Sequence, residues 1–294
     1  MYLFCLLVWG LNFIAVKIQG TPVSLEESLT YRLAGALVLF LAYAAYARPA
    51  RNATWQDTPF IILFGLCNFA LSYLLLYYAT IWSTAALVTL VFSMKAMMTP
   101  IALAIFLRDP LDKRIILGGC ISILGVGTLL YPSLAIGTVE LLGLGLAVIG
   151  TAITALGDAA SARNARRGID PVYANCIGFL AATALIFTVG VFQGRPFDLP
   201  TSVSYLGALF YLTVVASFFA WLFYLKLVGK IGAANSGFMV ALFPAIGGIA
   251  SVMLGESEPT IFLTVGCILS CVGAGYALGG FDRLRQGTSN WRQT

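Results

Sequence analysis

Long apolar runs, separated by short polar connections, fill the chain from one end to the other. They fall at 2–18, 25–47, 59–78, 85–107, 115–131, 139–162, 172–192, 203–227, 233–254 and 261–280. Most approach or exceed the roughly 20 residues that a membrane-crossing helix needs. None alternates with the period of a strand, so the pattern predicts ten transmembrane helices and argues against an outer-membrane barrel. The first run has neither a basic leader nor a small-residue cleavage pattern, and it reads as a true first helix rather than a signal peptide.

Sliding the chain against itself by 147 positions brings the runs into phase. Gly10 then falls on Gly157, Leu75 on Leu222, Tyr77 on Tyr224, Leu107 on Leu254, and Gly119-Cys120-Ile121 on Gly266-Cys267-Ile268. Each copy holds five runs, an odd number, so the second copy must sit upside down relative to the first. The expected architecture is an all-α integral membrane protein with inverted-topology repeats over 1–134 and 135–281, followed by a tail at 282–294. Inverted repeats are characteristic of alternating-access carriers, whose binding site lies near the midplane between the repeats. The plainer alternative is a duplicated bundle with no transport role. Basic residues set the orientation. Arg48, Arg51, Arg108, Lys113, Arg114, Arg163, Arg166, Arg167, Lys226 and Lys230 follow even-numbered runs, whereas only Arg195 follows an odd one. Both termini, and the tail with Arg283, Arg285 and Arg292, are therefore expected to be cytoplasmic.

Composition removes other classes. With 60% hydrophobic and 10% charged residues, a water-soluble fold is excluded. The net charge of +5 is accounted for by the connections and implies no nucleic-acid partner. The six cysteines lie within apolar runs without a CxxC pair, and there is no histidine, so disulfides, metal sites and Ser-His chemistry are not expected. Nor does the chain carry a nucleotide-binding loop. Gly157-Asp158 resembles half of an intramembrane aspartyl protease, but no second intramembrane acid exists to complete it. A non-enzyme without cofactor or metal is expected.

Lys95 is the leading site candidate, because a charge that deep in an apolar run must face protein or trapped water. Asp158 is the acid well inside a run, and three readings stand: a substrate ammonium contact or proton-coupling group, the partner of Lys95, or a structural pair with Arg163. On the first run Trp9, Asn12 and Val16 share a face, with the Asn12 amide directed at substrate or at a neighbouring helix. Asn68 and Ser72, one turn apart, make a polar stripe. Tyr78 and Trp221 are candidates for holding a flat or cationic substrate, while Tyr77 reads as an interfacial aromatic. Lys17 and Arg32, near the run ends, are expected to snorkel or to pair with Glu26 and Glu27. Pro100 and Pro244 are expected to interrupt their helices and supply bends for gating.

The first run, WGLNFIAVK, places Trp9, Gly10, Asn12, Phe13 and Lys17 in a pattern that resembles the opening of the drug/metabolite transporter superfamily, EamA-type exporters. Tyr31-Arg32, the acids Asp109 and Glu256, and the glycine-rich last run of each repeat are similar to that family as well. The second repeat has no counterpart of the W-G-x-N-F and lysine pattern. The tyrosine- and tryptophan-rich third and fourth runs further resemble bacterial aromatic amino acid exporters. That resemblance implies a secondary transporter in the bacterial cytoplasmic (inner) membrane that exports small amphipathic metabolites, aromatic amino acids first among them, through a central cavity; a monomer is the expected state. Export of another metabolite or a cationic drug, a passive channel-like pore, and a non-transport receptor are the competing readings. A retinal receptor using Lys95 as Schiff base is disfavoured by the inverted repeat.

Overall fold

The computed structural model describes residues 1–50, 53–131, 138–194, 197–231, 238–277 and 279, and every regular element among them is helical. Arg51, Arg195, the start of the ninth run and the expected cytoplasmic tail lie outside the described residues. In chain order the helices are α1 (Tyr2–Gln19), α2 (Leu25–Ala47), α3 (Thr58–Trp82), α4 (Ala85–Leu107), α5 (Lys113–Leu130), α6 (Thr138–Arg166), α7 (Pro171–Phe192), α8 (Val203–Tyr224, running on through Ala220–Ile231), α9 (Met239–Met253) and α10 (Ile261–Ala277). Seven of these, α1 to α4 and α6 to α8, are long and apolar enough to cross a membrane, while α9 and α10 are shorter apolar helices.

Local chemistry explains where the helices begin and end. α2 starts in a capping box, with the Glu27 N–H donating to Ser24 Oγ (3.2 Å) and the Ser24 N–H to Glu27 Oε2 (2.8 Å). Asp170 caps α7 by accepting the Val172 N–H at 2.7 Å, with Pro171 in the first turn. α4 and α9 both stop at a residue of positive φ, Arg108 (58°) and Gly255 (67°), which are 147 positions apart. The wide π turns repeat too: Leu66–Leu71 in α3 maps into Tyr211–Phe219 in α8. Such turns interrupt an α-helix at a cost and tend to occur at functional positions.

The packing follows the same repeat. α5 lies against α10, α2 against α7, α4 against α9, α3 against α6, and α1 against α8. Exchanging the two copies leaves the first three pairs unchanged and converts the fourth into the fifth. Small residues allow the closest approaches, as expected where helices meet without large side chains between them. A Cβ on Gly118 would collide with the Gly273 carbonyl, and one on Gly273 with the Gly118 carbonyl. Gly65 of α3 and Gly178 of α7 meet backbone to backbone. The largest buried cluster gathers Leu29, Leu33 and Phe40 of α2, Phe64 and Phe69 of α3, Phe179 of α7 and Leu212 of α8.

Helix ends define two opposite faces. Lys17, in the last turn of α1, lies at the C-terminal end of α3, where its ammonium donates to the Ser83 and Thr80 carbonyls (2.7 and 3.0 Å). Arg163, in the last turn of α6, lies at the N-terminal end of α3, paired with Asp57 at 2.6 Å. The two ends of this 25-residue helix are about 37 Å apart at 1.5 Å per residue.

Candidate substrate site

α4 is two helical segments joined at Met94 (φ −62°, ψ −13°), and the second segment opens on Lys95. A lysine there meets the positive end of its own helix dipole, so it needs a compensating anion. Asp158 of α6 supplies it: Lys95 Nζ is 3.0 Å from Asp158 Oδ2, and Thr99, one turn after Lys95, donates its hydroxyl to the same oxygen at 2.8 Å. The two charged side chains are 19% and 21% exposed, so the pair is neither sealed in the core nor free in solvent. The Lys95 ammonium also lies 5.6 Å from the Phe92 ring centre. Of the three readings for Asp158, the structural pair with Arg163 is corrected: Arg163 bonds Asp57 and stacks on Phe60 at 4.0 Å.

Aromatic side chains surround the neighbouring space. Trp9, Trp221 and Tyr224 meet edge to face, with centroids 5.4 Å (Trp9–Trp221), 5.2 Å (Trp9–Tyr224) and 6.0 Å (Trp221–Tyr224) apart. Trp9 and Tyr224 pack on the same cluster as Phe92, the ring beneath Lys95. Trp9 is fixed by donating its indole N–H to the Ala216 carbonyl (3.0 Å), inside the π turn of α8. The site is therefore a coupled plus and minus charge at the Phe92 ring, which joins it to the cluster that holds Trp9 and Tyr224. Aromatic faces attract cations and stack on flat groups.

Several expectations change. Arg32 does not snorkel and does not pair with Glu26 or Glu27; it is 1% exposed. Its Nε donates to Ser217 Oγ (2.9 Å), one terminal nitrogen to Tyr77 Oη (3.3 Å) and the other to Asn12 Oδ1 (3.1 Å), and it lies 4.4 Å from the Tyr73 ring centre. Asn12 is thus committed to Arg32, and Tyr77 is a buried partner of that guanidinium rather than an interfacial aromatic. Lys17 pairs with Glu256 at 3.4 Å, again not with Glu26 or Glu27. Tyr78 sits apart from the Lys95 pair: its hydroxyl donates to Glu26 Oε1 at 2.8 Å, and it lines an open cavity of about 470 Å³ with Glu27, Trp82 and Asp198. Asn68 and Ser72 are buried where α3 meets α6, Asn68 against Gly157 and the Ser72 backbone against Gly150. Pro100 does not interrupt its helix: the second segment of α4 runs through it from Lys95 to Leu107, and the interruption lies earlier, at Met94. Pro244 does not break a helix: it sits in the first turn of Phe243–Met253, just after the 3-10 turn Phe238–Leu242, where a missing N–H costs nothing.

Thr99, Phe92, Tyr73 and Ser217 carry no signal of their own in the pattern of apolar runs. Thr99 is findable all the same, since it follows Lys95 at the i+4 spacing that puts two residues on one helix face. Ser217 is not, because only the fold brings it to Arg32 across 185 positions.

The model of the EamA-like transporter family matches the chain twice, over residues 1–131 and 139–278. A protein of Archaeoglobus fulgidus described as an uncharacterized transporter is 23% identical over 264 residues, which cover 87% of this chain and 89% of that one. A solved crystal structure of a protein shares the fold at a TM-score of 0.68 over 96% of each chain, with 19% identity.

Proposed function

Since the chain belongs to the EamA-like transporter family, and is thus a multi-pass membrane protein of a family of transporters, we propose that it is a secondary carrier for small amphipathic metabolites, in the first place zwitterionic aromatic amino acids. The observation that carries this reading is the half-buried Lys95–Asp158 pair over the Phe92 ring, which packs on the same cluster as Trp9 and Tyr224. An amino acid brings a carboxylate, an ammonium and a flat apolar body. Lys95 has three donors for the carboxylate, Asp158 accepts from the ammonium, and the aromatic faces hold the ring. In the unloaded protein the two side chains neutralise each other, so neither is left as a bare charge in a low-dielectric site.

The architecture of this proposal is ten crossings in two oppositely oriented five-helix repeats, 1–134 and 135–281, with both termini and the tail 282–294 in the cytoplasm of a bacterial cell. The substrate leaves the cell by alternating access, with the protein working as a monomer and without cofactor or metal. The repeated caps, the repeated π turns and the symmetric packing of the helices support it. So does the arrival of the α1 and α6 ends at opposite ends of α3. The break at Met94 in α4, with Pro100 in the segment that follows, and the change of helix type before Pro244 in α9, are the bends this reading assigns to gating. Trp9, Lys95, Asp158 and Trp221 hold the substrate. Asn12 supports the site through Arg32, Tyr78 lines an entry cavity, and Asn68 and Ser72 set the contact of α3 with α6.

A second reading, favoured by the 3.0 Å pair itself, is that Lys95 and Asp158 only brace α4 against α6. The two readings part in a mutant cycle. If the pair binds substrate, Lys95→Met weakens phenylalanine binding by roughly tenfold to a hundredfold, as for a lost hydrogen bond to a charged group, and the double variant with Asp158→Asn stays as weak. If the pair is only a brace, removing both charges together restores binding. Equilibrium binding of labelled phenylalanine to the purified variants decides between them.

A further inference from the structure

The two repeats are tied together by an ion pair at each face of the molecule, and the two pairs are copies of one design. In each repeat the fourth helix ends on a left-handed residue, Arg108 or Gly255, and the next residue is an acid, Asp109 or Glu256, 147 positions apart. Each acid reaches across to a base near the end of the other repeat's first helix. Glu256 pairs with Lys17 of α1 at 3.4 Å, and Asp109 with Arg166 of α6 at 2.5 Å. Lys17 lies at the C-terminal end of α3, whereas Arg166 follows Arg163, which binds Asp57 at the N-terminal end. The pairs therefore stand at opposite faces. A repeat that rocks against its partner about the middle of the molecule separates the groups at one face while keeping them together at the other.

The geometry points to Lys17–Glu256 and Arg166–Asp109 as opposing latches, each holding one end of the carrier closed and each released in turn. This inference rests on the carrier reading above. Lys17 also binds the Thr80 and Ser83 carbonyls, and Glu256 also accepts the Ala85 N–H (2.9 Å) and the Ser251 hydroxyl (2.8 Å), so this latch spans the turn between α3 and α4. At the other face Asp57 adds two more contacts between the repeats, to Arg163 (2.6 Å) and Arg167 (3.5 Å). The Lys17 and Arg166 side chains are 32% and 53% exposed, their acids Glu256 and Asp109 12% and 29%. Pairs with the base reaching solvent are weak and bias an equilibrium by about fivefold, which suits a contact that must break in every cycle.

The test measures distances between spin labels in the full-length protein reconstituted in lipid. One label pair is placed at Thr21 and Glu258, near the Glu256 face, and the other at Leu111 and Ala165, near the Asp109 face. Cys120 and Cys271 are replaced by alanine, so that only buried native cysteines remain. The expected result is that Glu256→Gln raises the population open at its own face about two- to fivefold and lowers the population open at the other. Asp109→Asn should do the reverse, by a smaller factor because the Asp57 contacts remain. Exchanging the charges of the Asp109–Arg166 pair, Asp109→Arg with Arg166→Asp, keeps the attraction across that face and should restore the wild-type distribution there, and this variant carries the test if a neutralised variant does not fold. Shifts of the same sign from both neutralisations, or no shift in a folded variant, would overturn the proposal. The distances are read without substrate, so a failure to transport amino acids leaves the latch result standing, and absent latches leave the binding test of Lys95 intact.

Discussion

Lys95 and Arg32 are charges carried inside apolar helices, and fixed partners hold each of them: Asp158 for the ammonium, and Asn12, Tyr77 and Ser217 for the guanidinium. Lys95 stands out because no other base lies so far from the ends of its run, and its partner Asp158 stands out for the same reason on α6. Arg32 misleads because it lies near the start of α2. Yet it is eight residues past Ser24, two turns of helix, and the guanidinium turns inward to Asn12, Tyr77 and Ser217. Three such neutral acceptors solvate a cation at fixed positions, whereas a free side chain near the surface would use water. Asp57 is a case where the environment is one-sided. The Thr54 hydroxyl and N–H, and then the Arg163 guanidinium, hold its carboxyl well below the usual carboxylate range. A group whose value is lower in the folded than in the unfolded protein stabilises the fold above the unfolded value, near 4, and loses that contribution as pH falls through the folded one. Asp57→Asn should therefore lower the apparent melting temperature at pH 7, and the gap from the parent should narrow as the pH is brought from about 5 towards 3. A gap that stays constant over that range would show that the charge of Asp57 is not what matters.

Helix boundaries are readable where short-range chemistry sets them. Ser24 with Glu27, and Asp170 with Pro171, mark starts that follow from local hydrogen bonds. The π turns and the break at Met94 are not, because Leu66–Leu71 and the residues next to Met94 carry no proline or glycine pair at the point of change itself. Pro244 misleads for a related reason, since proline is harmless in a first turn and the true change of helix type precedes it. Glycine spacing carries more than flexibility at α3 and α7. Gly65 and Gly178 touch through their backbones, so Gly65→Val inserts a side chain where none fits and should cost about 1 to 3 kcal/mol, the usual range for overpacking. Gly127→Val, on the open side of α5, has nothing within 4 Å to strike and should leave stability unchanged. Thermal unfolding of the two variants in the same detergent makes the comparison, and equal losses would mean that helix propensity rather than contact governs both.

At the scale of the whole molecule, the duplication is the property most fully present in the sequence, and it reappears in caps, π turns, helix partners and ion pairs. The full set of crossings is less legible: seven helices have the length and apolarity to span a membrane, and α9 and α10 are shorter. The site is asymmetric although the scaffold is not. Position 95 is Lys and its counterpart 242 is Leu, while Asp158 has Leu11 as its counterpart, so each repeat contributes one half of a single charged pair. The carrier function proposed above requires that pair to be exposed to one side at a time. Counterflow tests this most directly: proteoliposomes loaded with unlabelled phenylalanine are diluted into a trace of the labelled compound. Alternating exposure of the Lys95–Asp158 pair predicts a transient accumulation of label above equilibrium, abolished by Lys95→Met, whereas a monotonic approach to equilibrium or no entry of label at all would contradict it.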